Sequence, residues 1–271
     1  MTRHRTATEF PEVEAALAAL VVPAPPTLAP STLLAVGLAD AYAEIDSPLG
    51  PLFVAWNGRG VSAVVAAEEP GAFEERFTRQ VGRPIRRADA LPSRLAPAIA
   101  RRIGGDRRAR VDLDLRGYTE FERAVWMKAL EIPRGEVRPY AWVAAEIGRP
   151  KAVRAVGSAL AHNPVPLVVP CHRVVRSDGT IGQYSLGGPE NKRTILAAEG
   201  LDPGEVEDLA RRGIRYVGSD TTRVVCLPTC SHARRIQPAH RRPFRSLGDG
   251  VAAGYRPCRV CRPGSGASLA A

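Results

Sequence analysis

Lysine is nearly missing from this chain. Only Lys128, Lys151 and Lys192 occur in 271 residues, while arginine is plentiful and the formal net charge is +10. Alanine is abundant too, as GC-rich coding would produce, so the charge alone is an incomplete argument for a polyanionic partner. Long apolar runs are also lacking, and none approaches the length that spans a bilayer. Residues 15–22 are apolar, but Glu9, Glu12 and Glu14 precede them and Pro23, Pro25 and Pro26 break them. A secretory signal needs a basic flank, so none is expected here. No membrane partner is expected, and the expected compartment is the cytoplasm. Cysteine is sparse: Cys171 stands alone, and Cys226, Cys230, Cys258 and Cys261 fall in two close pairs. In the cytoplasm such spacing points to metal or catalysis more often than to disulfides.

Composition divides the chain into four segments. Residues 1–40 are rich in alanine and proline, with a short helix expected over 10–20 and a proline-rich linker after it. Residues 41–112 begin with two or three strands, with turns at residues 48–50 and 57–60, and continue as a helical stretch over 72–104 interrupted by proline. Residues 113–202 contain "TEFERAVWMKAL", where Thr119 and Glu122 have capping-box spacing. Two helices then follow in "RPYAWVAAEIGRPKAVRAVGSALAHNP", broken at residues 148–150. Gly148 suits the position after a helix end and Pro150 the start of the next helix. This reads as a helix-turn-helix, with an ordinary αα-hairpin the alternative that pattern leaves open. Residues 203–271 are arginine-rich and hold the four paired cysteines.

The second helix of that pair is lined with small residues: Ala152, Ala155, Gly157, Ser158, Ala159 and Ala161, with Arg154 as the long exception. Small residues allow the close backbone approach that the narrow minor groove of DNA demands. Alanine bias with ordinary helix propensity would give the same letters. The stretch "LVVPCHRVVRSD" is more pointed. An apolar run, which looks like a buried strand, ends in Pro170, Cys171, His172 and Arg173. A lone cysteine beside valines is often only a small buried hydrophobe. Yet Pro170 cannot donate to a sheet, and an imidazole and a guanidinium follow at once; nearby cations or a base turn a thiol into a nucleophile. In an extended strand His172 and Cys171 would face opposite ways, so a bend or a bridging water is required, with a carboxylate elsewhere to orient the imidazole.

"KAVRAVGSALAHNPVPLVVPCHR" followed by "GTIGQYSLGG" closely resembles the O6-alkylguanine-DNA alkyltransferases, the methylated-DNA–protein-cysteine methyltransferases, over roughly residues 42–200. The resemblance implies an α/β chain: a ribonuclease H-like first half and a winged-helix-like catalytic half. It implies that Cys171 takes the alkyl group from the guanine oxygen and keeps it, one lesion per molecule, from a nucleotide flipped out of duplex DNA. His172 would act as a water-mediated base and Glu199 would orient it. Tyr140 would help rotate the nucleotide and donate to its ring nitrogen; Asn163 would brace the active-site turn. Arg154 would fill the vacated stack, with Ala155, Gly157, Ser158 and Arg173 on the DNA side. Val174 would offer its carbonyl to the guanine amino group, and Tyr184 and Ser185 would cover the alkylated oxygen. One departure is Leu186, which stands between Ser185 and Gly187 where many members pass directly to Gly-Gly. The partner implied is double-stranded DNA carrying O6-alkylguanine, bound by a monomer without an organic cofactor. The competing reading is a damage sensor or transcriptional regulator that binds alkylated DNA without repairing it. A thiol hydrolase would need an oxyanion site, and none is identifiable.

The spacings Cys226-x3-Cys230 and Cys258-x2-Cys261 suit a tetrahedral four-thiolate zinc site; two disulfides or an iron–sulfur cluster are the alternatives. "TTRVVCLPTCSHARR" and "FRSLGDGVAAGYRPCRVC" resemble the zinc domain of the Ada adaptive-response proteins, which takes methyl groups from DNA phosphotriesters. Cys226 matches the acceptor of that domain, whereas Leu227 stands where a basic residue is usual. Phosphotriester repair and a purely structural, DNA-binding zinc role both stay open. Arg223, Arg234, Arg235, Arg241 and Arg242 could contact phosphates in either case.

Overall fold

In the computed structural model, which describes residues 28–264, the first sheet starts from a hairpin set by its turn. Strands β1 (Asp40–Ile45), β2 (Leu52–Asn57) and β3 (Gly60–Ala66) pair antiparallel, with Asn57 opposite Gly60. Asn57 Oδ1 accepts the Arg59 amide at 2.8 Å, closing the two-residue connection by its own side chain. Gly58 meets a different demand. A Cβ there would lie 1.8 Å from the Ala35 carbonyl oxygen in helix α1 (Leu28–Val36). That helix lies within the stretch expected to be linker; the helix expected over 10–20 lies outside the described residues.

The 72–104 stretch is not only helical. Between α2 (Pro70–Val81) and α3 (Leu95–Ile103) runs a short strand, β4 (Ile85–Arg87), parallel to β1, giving the sheet order β3-β2-β1-β4. Two of its three residues are exposed arginines, so no apolar alternation marks it, as suits a short charged edge strand. The sheet is tied to the next segment by a buried polar cluster. Asn57 donates to Asp40 at 2.9 Å and to Asp114 at 2.8 Å, and Arg83 and Arg116 neutralise the two carboxylates. Burial alone would raise Asp114; the hydrogen bonds from Arg116 and Asn57 outweigh it and hold the carboxyl at about 2.

Helix α4 (Glu120–Ala129) begins at the expected capping box: Thr119 Oγ1 accepts the Glu122 amide and Glu122 accepts the Thr119 amide. Val125, Trp126 and Ala129 form its buried face, and the Trp126 indole N–H donates to the Ala159 carbonyl at 2.8 Å. Helices α5 (Tyr140–Glu146) and α6 (Val153–Ala161) are the expected pair. Gly148, at φ 72°, follows the end of α5 as expected. The break is longer than the sequence suggested, however. It runs over 147–152, and Pro150 lies in the turn rather than in the first turn of α6. All three helices share one apolar core with β2 and β3.

A two-stranded parallel pair, β5 (Arg138–Pro139) with β6 (Val174–Val175), leads to helices α7 (Gly188–Ala198) and α8 (Pro203–Arg211). Val206 of α8 clusters with Val137, Val175, Ile181 and Leu196, so α8 packs on the segment that carries β5, β6 and α7. The last segment is a sheet of order β10-β8-β7-β9, built from β7 (Tyr216–Ser219), β8 (Val224–Cys226), β9 (Arg241–Phe244) and β10 (Arg256–Pro257), with short helices α9 (Ser231–Arg234) and α10 (Leu247–Ala252). The chain is therefore mixed α/β with a cysteine cluster at its carboxyl end. Among the described residues, no helix is long and apolar enough to cross a membrane.

Candidate active site and metal centre

The apolar run before Cys171 is not a strand. Val169 donates back to the Val165 carbonyl, Leu167 adopts φ 70°, and Cys171–Arg173 form one 3₁₀ turn. Valine-rich letters suggested extension, but Pro164, Pro166 and the side chain of Asn163 impose a turn. Asn163 Oδ1 accepts the Val165 amide at 3.1 Å, while its Nδ2 donates to the Val169 carbonyl at 3.0 Å and to Cys171 Sγ at 3.1 Å. The turn brings Cys171, His172 and Arg173 around one corner, which supplies the bend that an extended strand would have denied.

Behind the turn, Glu199 gathers the charged groups. Its carboxylate accepts His172 Nε2 at 2.9 Å, both Arg173 Nε and Nη2, the latter at 2.7 Å, and the Gly135 amide at 3.2 Å. Burial would raise Glu199, but the hydrogen bonds from His172 and Arg173 outweigh it and hold it at about 2. Arg173 is buried, with a third bond to the Ile132 carbonyl at 2.7 Å. This corrects its expected place on the DNA side: its donors are committed to Glu199 and the backbone. His172 is lowered by burial and so is neutral near pH 7, and its Nδ1 is buried without a partner. The Cys171 thiol is pushed up by burial, against the opposing hydrogen bond of Asn163 and the charge of Lys192.

Glu199→Gln would keep the shape and leave the Arg173 guanidinium without a counter-charge. Removing one partner of a buried pair costs about 3–5 kcal/mol. A urea midpoint lowered accordingly is expected, and an unchanged midpoint would show the pair to be dispensable. Because Glu199 is depressed below its ordinary value of 4.5, its stabilisation is present above that value and fades as pH falls towards 2.

Cys171 opens on a cavity of about 190 Å³ lined by Tyr140, Gly157, Leu160, Gln183, Tyr184 and Ser185. Tyr140 begins α5, where it is half-buried. Val174 does not line this cavity, and its carbonyl accepts Lys192 Nζ at 2.6 Å; a competing donor thus already stands where the sequence reading placed a guanine amino group. Lys192 is fully buried, also bonds the Gln183 carbonyl, and is pushed down to about 8 by burial. Sequence reasoning passed over Lys192 and Gln183. The signal was there: one of only three lysines sits in a helix otherwise read for Glu199. Leu186 is buried in the main apolar core, and Gly187 and Gly188 both take positive φ in the loop that leads into α7.

On α6 one face is buried (Val156, Ala159, Leu160), while Arg154, Ala155 and Ser158 are exposed with Gly157 between them. A Cβ at Gly157 would meet nothing within 4 Å, so packing inside the protein does not demand this glycine.

The four remaining cysteines converge, all buried, with their sulfurs within 4.8 Å of one another. Tetrahedral zinc with bonds near 2.3 Å would hold sulfurs ~3.8 Å apart, so the cluster fits that ion. The Leu227 amide donates to Cys261 Sγ, the kind of outer contact that zinc thiolates take. Of the four, Cys226 alone lines a cleft of about 480 Å³, beside Thr221, Thr222, His232, Arg235 and His240. Leu227 is buried in the cysteine cluster and also lines a small separate pocket with Val137, Pro139 and Val175.

Residues 120–201 match the family model described as the DNA-binding domain of 6-O-methylguanine DNA methyltransferase, and residues 206–264 that of the metal-binding domain of Ada. The methylated-DNA–protein-cysteine methyltransferase of Mycobacterium tuberculosis is 39% identical over 158 residues, covering 58% of this chain and 91% of the relative. The chain belongs to the methylated-DNA–protein-cysteine methyltransferases. Within that family, the bifunctional transcriptional activator and DNA repair enzyme Ada of Escherichia coli is 37% identical over 156 residues, covering 55% of this chain and 43% of that protein. Mycobacterium tuberculosis OGT, solved in complex with DNA, is 34% identical with a TM-score of 0.49, covering 61% of this chain and 98% of that one. This methyltransferase thus carries an Ada-type metal-binding module after its catalytic half.

Proposed function

We propose that this chain repairs DNA by moving the alkyl group of O6-alkylguanine irreversibly onto Cys171, once per molecule. The observation that carries the reading is the buried Cys171 thiol, outside the cysteine cluster and at the mouth of a cavity, backed by Asn163 and by the His172–Glu199 pair. Displacement at an sp³ carbon calls for a soft anion. Cys171, a thiol at rest because it is buried, needs a base, and neutral His172 with its unpartnered Nδ1 is that base, through a bridging water. Glu199 stays ionised and stabilises the imidazolium. The S–C bond forms as the O–C bond breaks, and the electron pair leaves on the guanine oxygen. Tyr140, at the cavity edge, donates to the base's ring nitrogen as charge grows there, and Tyr184 and Ser185 close over the alkylated oxygen.

The target base must leave the duplex to enter this cavity. Arg154 on the exposed face of α6 fills the gap, and Ala155, Gly157 and Ser158 let the helix approach the groove. The helix pair supports the winged-helix-like reading of the catalytic half, and the sheet order of residues 41–112 supports the ribonuclease H-like one. A second acceptor at Cys226 is favoured by one observation: that cysteine alone borders a cleft carrying Arg235, His232 and His240, groups suited to a phosphate ester. Cys226, Cys230, Cys258 and Cys261 would hold zinc, which when bound would keep Cys226 a thiolate at neutral pH.

Intact mass with peptide mapping tests both parts. Incubation with DNA carrying O6-methylguanine is expected to add one methyl group, on Cys171. DNA carrying methyl phosphotriesters is expected to add one on Cys226; if it adds none, the zinc role is structural. No methyl group from either substrate would leave a non-repairing damage sensor as the surviving reading.

A further inference from the structure

One short loop, residues 134–138, stands between the cysteine cluster and the His172–Glu199 pair. On its inner side the Gly135 amide donates to Glu199 Oε2 at 3.2 Å, and Arg134 donates to the Ala198 carbonyl. Against its outer side sit the residues that flank Cys230. Thr229 Oγ1 accepts the Val137 amide at 2.9 Å and donates back to the Val137 carbonyl at 3.3 Å. The Ser231 amide donates to Glu136 Oε1 at 3.0 Å, and Glu136 is itself buried in an ion pair with Arg138. Loops usually run exposed; residues 135–138 of this one are all buried. Gly135 takes φ 70°, and a Cβ there would approach the Glu199 carbonyl oxygen to 3.0 Å, so the loop has little room to shift on its own.

We propose that Thr229 and Ser231 of the zinc module are positioning residues for the Cys171 centre: they fix the 134–138 loop, and the loop fixes the carboxylate that orients His172. The four-cysteine module is then part of the catalytic scaffold and not only an appended binding unit. The proposal rests on the alkyl-acceptor reading of Cys171. The path is short and continuous, from Cys230 through its neighbours to Val137 and Glu136, then Gly135, Glu199 and His172. The charged and titratable groups facing this path are Arg173 beside Glu199, Arg102 of α3 facing Arg173, and Lys192, Tyr140 and Tyr184 around Cys171. From the module, the Arg234 guanidinium lies over Gly135. Neither substitution below alters any of these charges.

Thr229→Val keeps the branched shape and removes the hydroxyl. Ser231→Pro removes one amide donor at the first position of α9, where proline is tolerated. The rate at which iodoacetamide alkylates Cys171 is measured against pH in the full-length, zinc-loaded protein. Peptide mass isolates Cys171 from the other cysteines, and bound zinc is quantified alongside. Each variant is expected to bind zinc as the wild type does. Its Cys171 profile should move up by about half to one pH unit, which is about three- to ten-fold slower reaction near pH 7. Thr229→Ser should restore the wild-type profile. An unchanged profile in zinc-loaded Thr229→Val and Ser231→Pro would overturn the proposal, as would a profile that moves only where zinc has been lost. The readout needs no DNA. A wild-type protein that takes no methyl group from O6-methylguanine therefore sinks the repair reading while this comparison still decides the positioning role.

Discussion

Cys171→Ser is expected to abolish alkyl transfer from O6-methylguanine DNA, down to the uncatalysed background, while leaving DNA binding close to wild type. The reason lies in the nucleophile rather than the fold. A serine hydroxyl fits the space beside Asn163, so the turn over 163–171 should persist, held by the two bonds of Asn163 that do not involve sulfur. The hydroxyl is far harder to ionise than a thiol and is a poor partner for an sp³ carbon. Arg154, Ala155 and Ser158, exposed on α6, do not line the Cys171 cavity, so duplex affinity and its salt dependence should be kept. The checks are intact mass after incubation with alkylated DNA and a binding titration on the same oligonucleotide. Transfer retained by the serine variant would remove Cys171 from the acceptor role.

Metal removal is expected to have the largest effect on stability. The carboxyl-terminal module has little apolar core of its own. One of its two clusters is mostly the four cysteines, with Leu227 and Ala233, and the other is Val225, Leu247 and Tyr255. Structural zinc contributes about 10–16 kcal/mol in small zinc modules, whereas a whole domain is stable by only about 5–15 kcal/mol. A strong chelator should therefore unfold β7 to β10. The main core of the catalytic half contains no residue beyond 195, and the Tyr42–Phe53–Phe73 cluster, with the side chains packed on it, none beyond 85, so both should stay folded. Hydrogen exchange by mass would show protection lost from residues 216–257 and kept in α4 and β2. Retained protection throughout would refute the metal site.

The legible parts of this chain were those where chemistry is local. The Thr119–Glu122 cap, the Asn57 turn and the cysteine spacings each depend on residues a few positions apart, and each formed as expected. The Glu199 pairing was legible only through the family pattern, since 27 positions separate it from His172. What pattern missed depended on tertiary contacts. β4 is held by pairing to β1 and not by its own letters. The valines before Cys171 have strand propensity, yet Asn163 and two prolines turn them. Arg173 reads as a surface cation until the carboxylate that buries it is placed. Lys192 carried no motif, and only the folded chain shows its ammonium among backbone carbonyls.

Of the three tryptophans, Trp142 alone reaches the cysteine module. Its indole N–H donates to the Cys261 carbonyl at 3.0 Å, and the Arg138 and Arg262 guanidiniums lie 5.7 and 5.6 Å from its ring. Trp56 sits in a different apolar cluster, and Trp126 shares the main core with Trp142 but gives its indole N–H to the Ala159 carbonyl. The protein thus carries an intrinsic optical reporter at the seam between its two halves. Trp142 emission should follow metal loading and undocking in the unlabelled chain, against a background from Trp56 and Trp126.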